Sequence, residues 1–261
     1  MGSIFAPTGN FVMATRVFGF GCSYTQGVDL SSYTPVSSDK PDSKAWPQKI
    51  VDNLNYNKET NTKTRDFTCH NLGHGGASAK HTAWQIYNTE FKSSDIVCIL
   101  WPMMWRWCVL ERFIDDAGIE LDPETHEMII DPVKGLPFSA HLNIAPGWST
   151  DSVSERDGSH IEFYKTFYTK TDAEFNLLST VTFIDAYLKS RVAKVYHITL
   201  EPETDPNWQV LQPSDIEVTD WLMDDGKMTP SSLGQHLHPK YHERLGIRMA
   251  KRIKEFMGSS K

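Results

Sequence analysis

Basic residues are not in excess in this chain: 26 Lys and Arg stand against 33 Asp and Glu, a formal charge of −7 over 261 residues. Affinity for a polyanion grows from clustered positive charge, and no basic run occurs, so nucleic acid is not an expected partner. Long apolar runs are missing as well. Ile96 to Trp101 is far shorter than the roughly 20 residues that cross a bilayer, so no membrane contact is expected. Met1 to Met13 has no basic start, and Gly9 and Asn10 interrupt its apolar character; Ala6 stands where a myristoylation pattern after Gly2 needs Ser or Thr. Residues 1–12 are therefore read as a leader without an export or lipid signal. None of the four cysteines (Cys22, Cys69, Cys98, Cys108) forms a Cys-x-x-Cys pair, and three lie in strand-like apolar runs, as reduced core thiols do. A cytoplasmic setting fits that usage.

What is present is an alternation of strand-like and helix-like segments, with no internal repeat. Ala14 to Phe20 is a β-rich run that stops at Gly21-Cys22-Ser23. After a polar stretch from Asp29 to Ser43, Trp46-Pro47 opens a helix in which Trp46, Ile50, Val51 and Leu54 share a face. Phe67 to Leu72 reads as a second strand, followed by Gly73-His74-Gly75-Gly76 and a helix from about Ser78 to Phe91. Asp95 to Trp101 is almost wholly apolar, as a strand covered on both faces must be. Thr171 to Arg191 carries Phe175, Leu178, Val181, Ile184 and Leu188 at helical spacing; Ala193 to Leu200 returns to strand, and a last helix covers Lys240 to Phe256.

This succession predicts one α/β domain over residues 13–261, a flavodoxin-like three-layer sandwich with about five mostly parallel strands. Residues from about 106 to 170 interrupt the pattern and are read as an insertion after the third strand. It would carry a β-hairpin around Gly118 to Asp131 and serve as a lid or substrate wall.

Ligands of such sheets sit at the carboxyl ends of the strands, where both glycine-containing loops fall. In Gly21-Cys22-Ser23-Tyr24-Thr25-Gln26-Gly27 one hydroxyl follows a strand end. An alcohol becomes a nucleophile only when a neutral imidazole can take its proton, and His238, just before Pro239 and the last helix, is the leading candidate. Each feature also has a plainer reading. Ser23 could merely close a turn, Cys22 could be a small buried neighbour, and Gly73, Gly75 and Gly76 could cradle a phosphate, although no P-loop Lys accompanies them. His236, His238 and His242, supplemented by Asp224, Asp225 or Glu243, invite a metal reading, but their spacing is weakly diagnostic and no metal is assigned. Trp101, Trp105 and Trp107 with Met103 and Met104 could line a pocket for sugar rings or acyl chains, or anchor the insertion in the core.

Gly21, Ser23 and Gly27 in a Gly-x-Ser-x-x-x-Gly pattern, Asn71 with Gly76 five residues on, and His238-Pro239 before the closing helix occur in that order. In these three blocks the sequence resembles the GDSL, or SGNH, hydrolase family. The resemblance implies a serine nucleophile at Ser23, a general base at His238, an oxyanion hole including Ser23 and Gly76, and no cofactor. Two positions depart from the family. The third strand runs into Trp101-Pro102-Met103-Met104-Trp105-Arg106, with no oxyanion Asn, and Gln235 stands three residues before His238 where the family has its acid. Asp224 or Asp225 would then have to reach His238, and Arg106 would replace the missing Asn in the oxyanion hole. Trp101 and Trp105 are the candidate substrate-binding side chains. The expected activity is ester hydrolysis through an acyl-enzyme, with acetyl esters of carbohydrate as the first substrate class. The alternative is a catalytically impaired binding or structural module of a larger assembly, for instance a viral particle.

Overall fold

The computed structural model describes residues 14–27, 30, 42–102, 106–111, 140–144, 169–199, 216–217 and 239–259. Its centre is a sheet of five parallel strands: β1 (Thr15–Gly21), β4 (Phe67–Gly73), β5 (Ile96–Leu100), β8 (Lys194–Thr199) and the two-residue β9 (Ile216–Glu217). Their spatial order is β4-β1-β5-β8-β9. The chain thus starts in the middle, moves outward to β4, then crosses back over β1 to β5, and the crevice between β1 and β5 is the topological switch point of the sheet.

Side chains alternate across this sheet with a period of two, and each face has its own core. Val17, Ile96, Cys98, Leu100, Tyr196 and Ile198 point to one face, where α2 (Trp46–Leu54) and α5 (Pro239–Ser259) cover them. Phe18, Phe20, Val97, Ile99 and Val195 point to the other, under α3 (Ala79–Tyr87) and α4 (Lys170–Lys189). All five residues of β5 are buried, as its continuous apolar run requires. The three-layer α/β expectation is met. Among the described residues no helix is long and apolar enough to cross a membrane.

Local chemistry sets the helix boundaries. Pro47 sits in the first turn of α2, where its missing N–H costs nothing, and Trp46, Ile50, Val51 and Leu54 are buried together as expected. Ser78 caps α3 by accepting the His81 N–H at 3.2 Å, and Thr169 with Asp172 forms a capping box on α4. The buried stripe of α4 is Ala173, Leu177, Val181, Ile184 and Leu188. Phe175, assigned to that stripe from the sequence, is 68% exposed, because two positions before Leu177 on a 3.6-residue helix lies nearly on the opposite side.

Two further differences concern hairpins. The insertion does contain an antiparallel pair, but it joins β6 (Trp107–Glu111) to β7 (Ala140–Ile144); the segment Gly118 to Asp131, where the hairpin was expected, lies outside the described residues. A second pair, β2 (Tyr56–Asn57) with β3 (Thr62–Lys63), was not anticipated, since two-residue strands leave no periodicity to read. Residues 1–12, read above as a leader, also lie outside the described residues.

Candidate active site

Ser23 stands at the switch point. It follows the carboxyl end of β1 by two positions and opens a single helical turn, α1 (Ser23–Gln26), closed by Gly27 in the left-handed conformation. Gly21 makes the turn feasible: its φ is 146°, and a Cβ there would overlap the Leu100 carbonyl oxygen and the Thr25 hydroxyl. Thr25 Oγ1 donates back to the Phe20 carbonyl at 3.3 Å, so the turn is pinned to the strand it leaves. Ser23 itself is 5% exposed.

The second loop is tied to the first by one amide. Asn71 Nδ2 donates to the Thr25 carbonyl at 2.8 Å, and its Oδ1 accepts the Gly73 N–H at 3.0 Å. One residue later His74 N–H donates to the Gly21 carbonyl at 2.9 Å. The loop then turns through Gly76, where φ is 75°, and enters α3.

Main-chain bonds use some of the donors in the two loops, but not all. Thr25 and Gln26 N–H groups are spent on the Cys22 carbonyl, Gly27 on Ser23, and Ala77 on His74. Among the described residues neither the Ser23 N–H nor the Gly76 N–H has an intramolecular acceptor. Unspent main-chain donors on loops tied to one another are the kind of group an oxyanion hole requires.

Arg106 arrives from the third loop. Its Nη1 donates to the Ala77 carbonyl at 3.4 Å, one residue past Gly76. Its charge also acts on the Tyr24 phenol: burial and the neighbouring Cys22 push that phenol up from its ordinary value, while the Arg106 charge opposes them. A cation is therefore bonded to the residue after Gly76 and acts electrostatically on the residue after Ser23.

Trp101 is placed differently from the pocket-lining role considered for it. It is 1% exposed and belongs to the core on the α3 and α4 face, the anchoring alternative raised by its sequence context. Trp105, Asp224, Asp225, Gln235, His236 and His238 lie outside the described residues.

The start of α5 is nonetheless located. His242, in its first turn and 1% exposed, accepts the Trp46 N–H on Nδ1 at 3.1 Å. Farther along, a Cβ on Gly246 would overlap Lys49, and Lys254 Nζ donates to the Asn53 carbonyl at 2.9 Å, so α5 runs parallel to α2. The amino end of α2 is in turn joined to the first loop, because Asp42 N–H donates to the Gln26 carbonyl at 2.9 Å and Ala45 abuts Gly27. Pro239 thus begins α5 on the same rim as Ser23. The bond to Trp46 also occupies Nδ1 of His242, and among the described residues no group of three or more His, Cys, Asp or Glu could hold a metal ion.

Sequence reasoning singled out Ser23, Gly76 and Arg106, and the fold ties the segments that carry them through the Asn71–Thr25, His74–Gly21 and Arg106–Ala77 bonds. It missed the tie through Thr25 and the helix-joining role of His242. Neither has a local signal, because both partners come from distant parts of the chain. A separate cleft of about 210 Å³, lined by Asp185, Lys189, Lys194 and His197 among others, opens near the start of β8, at the opposite edge of the sheet.

No family model matches the chain, and no curated protein matches it. Among solved structures it is similar to a member of the lipolytic protein G-D-S-L family from Veillonella parvula DSM 2008, at 12% identity and a TM-score of 0.42, covering 92% of this chain and 98% of that one. An inhibitor-bound aryl esterase from M. smegmatis aligns at 10% identity and a TM-score of 0.42, over 93% of this chain and 100% of that one. Est24, a carbohydrate acetylesterase from Sinorhizobium meliloti, aligns at 9% identity and a TM-score of 0.40, over 92% and 99%. Likeness at this level transfers no residue's role.

Proposed function

We propose that this protein is a serine-dependent ester hydrolase acting through an acyl-enzyme. The observation that carries the reading is the rim itself: the Ser23 hydroxyl at the switch point, with the unspent N–H groups of Ser23 and Gly76 and the Arg106 guanidinium on converging loops. Ser23 Oγ attacks the ester carbonyl carbon while His238, the residue before α5, takes the hydroxyl proton. Charge that develops on the carbonyl oxygen is met by the two N–H groups and by Arg106. Collapse expels the alcohol, which receives the proton from His238, and a water activated by the same imidazole then releases the acid and restores Ser23.

Gln235 cannot stabilise the imidazolium as a carboxylate does, so Asp224 or Asp225 takes that part in this reading. The substrate class is an acetyl ester of a carbohydrate. With Trp101 committed to the core, the ring-stacking role falls to Trp105, four positions later in the sequence.

A fluorophosphonate probe tests the nucleophile, and acetyl ester hydrolysis tests turnover. The full chain is expected to be labelled at Ser23, and Ser23→Ala is expected to lose labelling and to lower hydrolysis on the order of 10³-fold or more. His238→Ala should follow it. Equal hydrolysis by Ser23→Ala would overturn the assignment, and folded protein that neither labels nor hydrolyses would favour the binding module instead.

A further inference from the structure

Asp185, His197 and Trp101 form a chain of polar groups across the α4 face of the sheet. Trp101 Nε1 donates to His197 Nδ1 at 3.0 Å, and the two rings are 3° from parallel with centroids 6.0 Å apart, so the bond lies near the plane of both. An indole nitrogen can only donate, which leaves His197 Nδ1 without a proton and puts the proton on Nε2. Nε2 then donates to Asp185 Oδ1 at 3.2 Å, and the other oxygen of Asp185 pairs with Lys189.

Such a chain is not needed to fill the layer. Apolar side chains of similar volume would do so without desolvating a carboxylate, and they are often at least as stabilising. What the chain specifies is orientation. Trp101 is the first residue after β5, and its main-chain N–H donates to the Ile198 carbonyl at 2.9 Å, so both of its N–H groups are bound to β8. Five positions further along the chain, Arg106 donates to the Ala77 carbonyl.

We infer that His197 and Asp185 are positioning residues for the candidate site: through Trp101 they set how the chain leaves the third strand and therefore where Arg106 stands on the rim. The kinetic consequence rests on the ester hydrolase reading; the positioning itself does not. Three variants of the full chain separate the two. His197→Leu removes the acceptor, Trp101→Phe removes only the indole donor, and His197→Asn keeps an acceptor oxygen close to the position of Nδ1. In ¹⁵N-labelled protein the Trp101 indole resonance, identified by its loss in Trp101→Phe, is expected downfield in the parent and in His197→Asn, and shifted upfield in His197→Leu. The Arg106 Nε resonance, identified through Arg106→Lys, is expected to move in His197→Leu and Trp101→Phe and to return in His197→Asn. For the hydrolysis rate the expected loss in kcat is on the order of 10- to 100-fold, with KM changed less than about 3-fold.

An Arg106 resonance that stays in place in both Trp101→Phe and His197→Leu overturns the positioning role, and unchanged kcat in an active protein whose Arg106 resonance has moved overturns its kinetic consequence. Should His197→Leu not fold, Trp101→Phe and His197→Asn still decide it. If the parent hydrolyses no ester, the ester reading fails, while the Arg106 resonance still tests the positioning.

Discussion

The side-chain amide of Asn71 bonds at once to the Thr25 carbonyl, at 2.8 Å, and to the Gly73 N–H, at 3.0 Å. Thr25 lies in the turn after β1 and Gly73 ends the neighbouring parallel strand β4, and a neutral amide can donate to one and accept from the other. A single residue thereby holds the Ser23 turn against the Gly76 turn.

Asn71→Ala leaves both backbone groups without that partner and is expected to destabilise the fold by about 1–3 kcal/mol. Asn71→Asp keeps an acceptor for Gly73 but sets a carboxylate against the Thr25 carbonyl, so it should recover little. Urea denaturation of the three proteins checks this; an Asn71→Asp midpoint equal to the parent's would contradict the donor role.

Gly73 and Gly75 should behave oppositely. A Cβ on Gly73 would overlap the Gln26 backbone nitrogen and lie 2.6 Å from the Thr25 carbonyl carbon, neither of which can swing aside. Gly73→Ala is expected to cost about 1–3 kcal/mol and to push the Ser23 turn outward. On Gly75 the nearest atom is Gln26 Oε1 at 3.1 Å, the end of a flexible side chain, and Gly75→Ala should stay within about 0.5 kcal/mol. Thermal melts of the pair give the comparison.

Asp95 tests the other end of the sheet. It is fully buried, and Arg16 binds it with two nitrogens, Nε to Oδ1 at 3.0 Å and Nη2 to Oδ2 at 2.6 Å, while Lys92 N–H adds a third bond at 2.6 Å. Arg16→Met strands that carboxylate and should cost about 3–5 kcal/mol. Arg16→Lys, which has one nitrogen in place of a planar fork, is expected to fall between. Equal stability of Arg16→Met and the parent in chemical denaturation would disprove the dependence.

Burial, aided by the nearby Asp52 charge, pushes the Cys69 thiol up to about 12, and burial raises the Tyr24 and Tyr87 phenols as well. Between an unfolded thiol value of about 8.5 and 12 the unfolded chain has lost a proton that the folded chain retains. Stability is therefore fully present below that window and declines as pH rises through it. Melting temperatures between pH 8 and 11 should fall, less steeply in Cys69→Val than in the parent. Identical slopes would remove Cys69 from the account.

The elements that carry their own periodicity or punctuation were legible from the chain alone. The run of buried residues in β5, the Trp46-Pro47 helix start and the glycine loops after two strands each obey a local rule, in which side-chain spacing or a missing Cβ dictates the backbone. Ser23 could be singled out because it sits beside a strand end, where parallel sheets leave room for a ligand; Gly76 and Arg106 were named only through the resemblance to the GDSL, or SGNH, family. The inward face of α4 was misjudged at Phe175, because apolar residues on both sides of a helix satisfy a helical period equally well in one dimension. Packing had to decide which side faced the sheet. Tertiary structure alone also determined that Trp101 turns into the core to meet His197, that Asn71 reaches Thr25, and that His242 caps the Trp46 N–H from 196 positions away. Those bonds join residues with no local relation, and their partners are specified only once strand order and helix placement have brought the segments together.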